Sequence, residues 1–92
     1  MLGQNYPNPF NPSTTIRYGL PRASRVSLIL YNTIGQAVVR LVDADEDAGF
    51  HEIRLDAAGF ASGVYFYRML AHPVEGAAGA AFGQTRKCLF LR

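Results

Sequence analysis

The chain has 92 residues, 49% of them hydrophobic, and a single cysteine. That is one domain near the lower end of what buries a self-sufficient core, and packing alone must hold it, because Cys88 has no partner for an internal disulfide. Nine Lys and Arg against seven Asp and Glu leave a net charge of +2, but the cations are scattered and only Arg86 and Lys87 are adjacent, which excludes the basic stripe or motif that nucleic-acid binding needs.

Residues 1–20 lack a charged start followed by an apolar run, so no signal peptide is read there, and no apolar stretch approaches membrane-spanning length. If the domain is exported, its leader belongs to a longer parent protein. The chain opens with Asn5-Tyr6-Pro7-Asn8-Pro9-Phe10-Asn11-Pro12. Each proline fixes its own φ and drives the residue before it toward extended geometry, so residues 1–13 form an extended lead-in that no helix can occupy. The two aromatics spaced along it, Tyr6 and Phe10, predict a segment lying flat against a β-sandwich and starting its first strand.

Strict alternation then begins. Ile16, Tyr18 and Leu20 share one face of a first strand that Pro21 ends. Val26, Leu28 and Leu30 share a face of the second, which turns apolar on both sides toward Tyr31, as a central strand does. Asn32-Thr33-Ile34-Gly35 is a tight turn, with Asn32 and Gly35 supplying the unusual backbone angles. A third strand is predicted over Gln36 to Val42, with a bulge near Arg40. Asp43 to Gly49 reads as an acidic loop.

Phe50 to Asp56 is the fourth strand, with His51, Ile53 and Leu55 on one face and Glu52 and Arg54 opposite. The following loop carries Phe60, predicted to plug one end of the core, and Asp56, predicted to bond to a turn backbone. Val64 to Ala71 is the strongest strand by composition. Tyr65, just past Ser62-Gly63, has two readings: a corner tyrosine whose hydroxyl caps a neighbouring loop, or an ordinary core ring. His72 to Gly83 is rich in Ala and Gly and reads as a long hairpin loop or as one holding a short irregular strand. Gln84 to Arg92 is the final strand, in which Cys88 is a buried structural thiol. Six strands, plus one from the lead-in or the 72–83 loop, predict an all-β chain: a single disulfide-free, immunoglobulin-like β-sandwich of about seven strands over residues 1–92, with a small barrel as the alternative.

Little here looks like chemistry. The serines have no His and carboxylate partners in a recognised local motif, and no phosphate-cradling loop occurs, so no enzyme activity, cofactor or small-molecule substrate is expected. Asp43, Asp45 and Asp47 place three carboxylates at alternate positions and are the candidate metal site. The EF-hand pattern fails there, because Ala48 takes the place of its glycine and Arg54 that of its bidentate Glu. The expected reading is a solvated acidic turn.

Several motifs in order resemble those of one family, the C-terminal sorting domains of the bacterial type IX secretion system. They are Asn5-Tyr6-Pro7-Asn8-Pro9-Phe10-Asn11-Pro12; Leu30-Tyr31-Asn32-Thr33-Ile34-Gly35-Gln36; Gly49-Phe50-His51; Ala61-Ser62-Gly63-Val64-Tyr65-Phe66-Tyr67-Arg68; and Thr85-Arg86-Lys87. The chain departs from the family at Asn32 and Gln36, where Asp and Arg are usual, and in the long 72–83 connection, where a short turn is usual. The sandwich is also similar to the immunoglobulin-like domain of the flagellar hook-capping protein.

The resemblance implies a non-catalytic address label at the end of an exported protein. Its implied partners are an N-terminal cargo domain, an outer-membrane translocon and a sortase-like peptidase. Its implied route runs through the periplasm to the outer membrane, cell surface or extracellular space. The implied recognition residues are Arg86, Lys87, Leu89, Phe90, Leu91 and Arg92, on a terminal strand able to peel away or pair with a receptor strand. Asn5, Tyr6, Pro7, Asn8, Pro9, Phe10, Gly35, Gly63 and Tyr65 are then structural. The alternative is an uncleaved extracellular spacer, attachment or carbohydrate-binding module. Carbohydrate binding requires Tyr31, Phe50, Phe66 and Phe90 to form an exposed platform on one sheet.

Overall fold

A computed structural model describes residues 1–74 and 81–92. Six strands run β1 Ser13–Leu20, β2 Ser24–Tyr31, β3 Ala37–Glu46, β4 Gly49–Asp56, β5 Gly63–Pro73 and β6 Phe82–Phe90. They form a β1–β4 pair and a four-stranded sheet ordered β3-β2-β5-β6, every neighbour antiparallel. The arrangement is a β-sandwich, without a disulfide.

Alternation sets the inner faces. Ile16, Tyr18 and Leu20 from β1, Val26, Leu28 and Leu30 from β2, and Tyr65, Tyr67, Met69 and Ala71 from β5 are all buried. They meet Leu55, Cys88 and Phe90 from β4 and β6 in one cluster, against which Phe60 packs. β2 is flanked by β3 and β5, which accounts for the partial cover of its outer-face Ile29 and Tyr31. Asn32 Oδ1 accepts from the amides of Ile34 and Gln36 at 3.1 and 2.9 Å, and Gly35 takes φ 83° to close the turn. An L side chain would be strained there.

Among the described residues the strands number six, and the lead-in adds the further partner through isolated bridges, one of the two sources expected for it. The structure corrects two expectations. The third strand does not end at Val42: it runs to Glu46, so Asp43 to Glu46 are strand and not loop. The physical reason is lateral, since Arg25 on β2 pairs with Asp43 at 2.9 Å and Asp45 at 3.5 Å, and Arg40 holds Asp43 at 3.0 Å. Two bulges accompany this, with register shifts leaving Leu41 and Val38 unpaired. Finally, β5 continues to Pro73 and β6 begins at Phe82, so both ends of the 72–83 connection are ladder. The middle of that connection lies outside the described residues.

Different contacts close the two flanks of the sandwich. On one, the Tyr18 hydroxyl at the β1 end donates to the Glu46 carboxylate at the end of β3. The Tyr18 ring stacks on His51 at 5.3 Å, and His51 Nε2 lies 2.8 Å from the Asp47 carbonyl. On the other, the lead-in bridges the sheets. It adds to β1 through Tyr6 N to Thr15 O and Thr15 N to Tyr6 O, both 3.0 Å, and through Gly3 N to Arg17 O at 2.8 Å. It then crosses to β6, where Phe10 N donates to Leu89 O and Leu91 N donates to Phe10 O, each at 3.1 Å.

Candidate functional site

The lead-in and the terminal strand form one structure. Tyr67, fully buried on β5, donates its hydroxyl to the Gly3 carbonyl at 2.7 Å and accepts from the Asn5 amide at 2.8 Å. Asn5 is buried too, and its Nδ2 donates to Pro7 O and Thr14 Oγ1. A buried polar side chain of this kind is tolerable only because it is bonded, and no described buried side-chain nitrogen or oxygen lacks a partner. On the β6 side, Arg86 Nε donates to Leu2 O at 2.8 Å, Gln4 Nε2 to Lys87 O at 2.8 Å, and Leu89 N to Asn8 Oδ1 at 3.0 Å. The Phe10 ring packs on Phe90 at 5.4 Å. Tyr6 between these anchors is exposed.

The six candidate recognition residues divide by this geometry. Phe90, 2% exposed, is core and presents nothing to a partner. Arg86 and Leu89 are half-buried, with Arg86 committed to the lead-in. Lys87, Leu91 and Arg92 are exposed. The Arg92 amide donates to Ser62 Oγ and its guanidinium to Phe60 O, both at 2.9 Å, which lays the chain end over the β4–β5 loop. Within that loop, Ala58 N donates to Asp56 Oδ1 at 3.0 Å, and Tyr65, itself buried, donates its hydroxyl to Ala61 O at 2.6 Å. Gly63 takes φ 148° there.

Two candidate sites do not assemble among the described residues. Asp43 and Asp45 face Arg25 rather than each other, and Arg25 and Arg40 hold the Asp43 carboxyl below its usual range. Among the described residues no group of His, Cys, Asp and Glu is placed to hold a metal ion. The aromatic platform fails as well. Tyr31 and Phe66 are partners across β2 and β5, whereas Phe50, 83% exposed, stands on β4 in the other sheet, and Phe90 is inside.

Sequence reading missed Tyr67 as the anchor of the lead-in. The signal was available: a tyrosine in phase with Tyr65 and Met69 must bury its hydroxyl, and so must find partners.

Burial also sets the alkaline behaviour. It pushes the Cys88 thiol from 9.0 up to about 11 and the Tyr67 hydroxyl from 10.0 up to about 12, while burial and then Glu46 raise Tyr18 further. All three folded values lie above the unfolded ones. Their stabilisation is therefore complete below the unfolded values and is lost as pH rises from about 9 through 12. The melting temperature should fall steeply over that window, and Cys88 should resist maleimide at pH 8 until denaturant is added. A flat melting temperature to pH 11, or rapid labelling of the native chain, would contradict this.

A family model, Secretion system C-terminal sorting domain, matches residues 4–74. No curated protein matches. Among solved structures, the chain is similar to CopC from Methylosinus trichosporium OB3b, at 16% identity and a TM-score of 0.61, covering 98% of this chain and 91% of that one. At that identity the likeness bears on the fold alone.

Proposed function

The chain belongs to the type IX secretion system C-terminal sorting domains, and from that premise we propose that it directs an exported parent protein through the outer-membrane translocon to the cell surface. A sorting domain of this system implies export toward the surface or the extracellular space, and its family is not a catalytic one. The observation that carries the reading is the family match over residues 4–74, whose first part is the lead-in that closes the sandwich. A N-terminal cargo and the secretion machinery are the partners. A sortase-like peptidase then removes or exchanges the domain.

The translocon reads the exposed part of the chain end, Lys87, Leu91 and Arg92, while Phe90 and Cys88 keep the strand in place. Deleting Lys87 to Arg92 is a poor test, because it removes two core side chains and would unfold the domain. Leu91→Ser with Arg92→Glu is the better one, because both residues are exposed. Surface delivery of a fused reporter should fall about tenfold, since an exposed hot-spot pair carries that much recognition. The melting temperature of the purified domain should move by no more than roughly 3 °C, as for surface substitutions generally. Unchanged delivery would move recognition off the chain end.

A further inference from the structure

Alternation along β6 turns the backbone N–H and C=O of every second residue away from β5. Lys87 O, Leu89 N and O, and Leu91 N show which set this is, because all of them bond to the lead-in. By the same phase, Gly83 and Thr85 and the Lys87 amide face outward, and among the described residues none of these groups has a backbone or side-chain partner. The lead-in thus bonds the outward backbone of the strand only from Lys87 O onward; before that it reaches side chains alone, Leu2 N donating to Gln84 Oε1 at 3.0 Å and Leu2 O accepting from Arg86 Nε. Among the described residues, the outward backbone groups of the first half of the edge are open.

The charge beside that opening is one-sided. Arg68 lies across from Thr85 on β5, and its Nη2 reaches to 3.8 Å from where a Gly83 side chain would begin. The guanidinium therefore leans over Gly83 toward the sheet edge. Lys87, two residues along, stands exposed on the same outer face. Neither cation has a carboxylate partner among the described residues, whereas Arg17, Arg25 and Arg40 are all paired.

The other edges are unlike this one. The lead-in covers β1. Two bulges break β3, which also carries Asp43 and Asp45. β4 starts beside Glu46 and Asp47 and bears Glu52 and Asp56.

We infer that Gly83–Lys87 of β6 accepts an extended acidic segment of a partner protein. The segment's main chain pairs with Gly83, Thr85 and the Lys87 amide, and carboxylates on its outer face lie one beside Arg68 and another beside Lys87. Main-chain pairing supplies the affinity and the two cations select acidic strands over basic ones. The inference rests on the sorting reading, in which the folded domain meets a protein receptor during export.

The test is a titration of the isotope-labelled 92-residue chain with acetyl-Thr-Glu-Val-Glu-Val-Glu-Thr-amide at low salt, read by amide chemical shifts. Saturable shifts centred on Gly83, Thr85 and Lys87 are expected, and none with the same peptide carrying Lys for Glu. Arg68→Gln should weaken binding about tenfold, the loss of one charge-assisted bond. Thr85→Pro should abolish the shifts while leaving the fold intact, because its N–H points outward and proline is tolerated at such edge positions. No shifts with the acidic peptide, equal shifts with both peptides, shifts centred elsewhere, or unaltered binding to Thr85→Pro would each overturn the inference and leave an edge merely guarded by charge. The titration needs no host. Its failure alongside translocon-dependent delivery of a reporter removes this inference alone, whereas failure of delivery removes the sorting reading.

Discussion

Phe90→Ala should lower the melting temperature of the domain by more than about 15 °C. The side chain is buried at the chain end, and truncating a core phenylalanine costs about 3–5 kcal/mol. For a domain of this length each kcal/mol corresponds to roughly 4–8 °C. The effect has a second component. Phe90 is the surface on which Phe10 lies, and its chain neighbours Leu89 and Leu91 supply the backbone bonds that hold Phe10. Emptying the site loosens the lead-in where it crosses between the sheets. A thermal melt followed by far-ultraviolet circular dichroism reads the effect. A shift under about 5 °C would mean that the Phe10–Phe90 contact is not what closes this flank.

Tyr67→Phe should cost about 2 kcal/mol, or roughly 10 °C, for the loss of one oxygen atom. The ring stays and no cavity forms, so packing is not the cause. The hydroxyl serves Gly3 O and Asn5 N together, and its removal leaves both without their partner. Amide exchange gives the specific signature. Asn5 and its neighbours in the lead-in should exchange faster in the variant, while amides in β2 and β5 keep their protection. Equal acceleration throughout would contradict a local anchor. Tyr6→Ala provides the contrast: that ring is 81% exposed, and its loss should hardly change the melt.

Much of the fold was legible because the apolar period of two is local information. The inner faces of β1, β2 and β5 follow from it directly, and so does the burial of Cys88. The same period extended by two residues places Phe90 on the Cys88 face. Its reading as a recognition residue came from the family resemblance and not from its own phase, and the structure places it in the core.

What was not legible depended on neighbours distant in sequence. Asp43 to Glu46 read as loop because acidic runs form poor strands by themselves. The cation that makes them strand is Arg25, on the adjacent β2. The lead-in was legible as extended and flat-lying, but not where it attaches, since its partner Tyr67 lies 62 residues from Asn5. The candidate site was the least legible part. Which half of β6 is covered depends on where the lead-in crosses, and the lean of Arg68 over Gly83 is visible only across a strand pair.

On the sorting reading, residues 1–92 are sufficient to address a protein for export through the type IX translocon. A reporter carrying a signal peptide and this domain at its C-terminus tests it, with surface-exposed reporter measured in a type IX-competent host and in a strain lacking the translocon. Surface delivery in the first strain and periplasmic retention in the second is the expected result. Retention in the periplasm of both strains, or equal surface exposure in both, would contradict it.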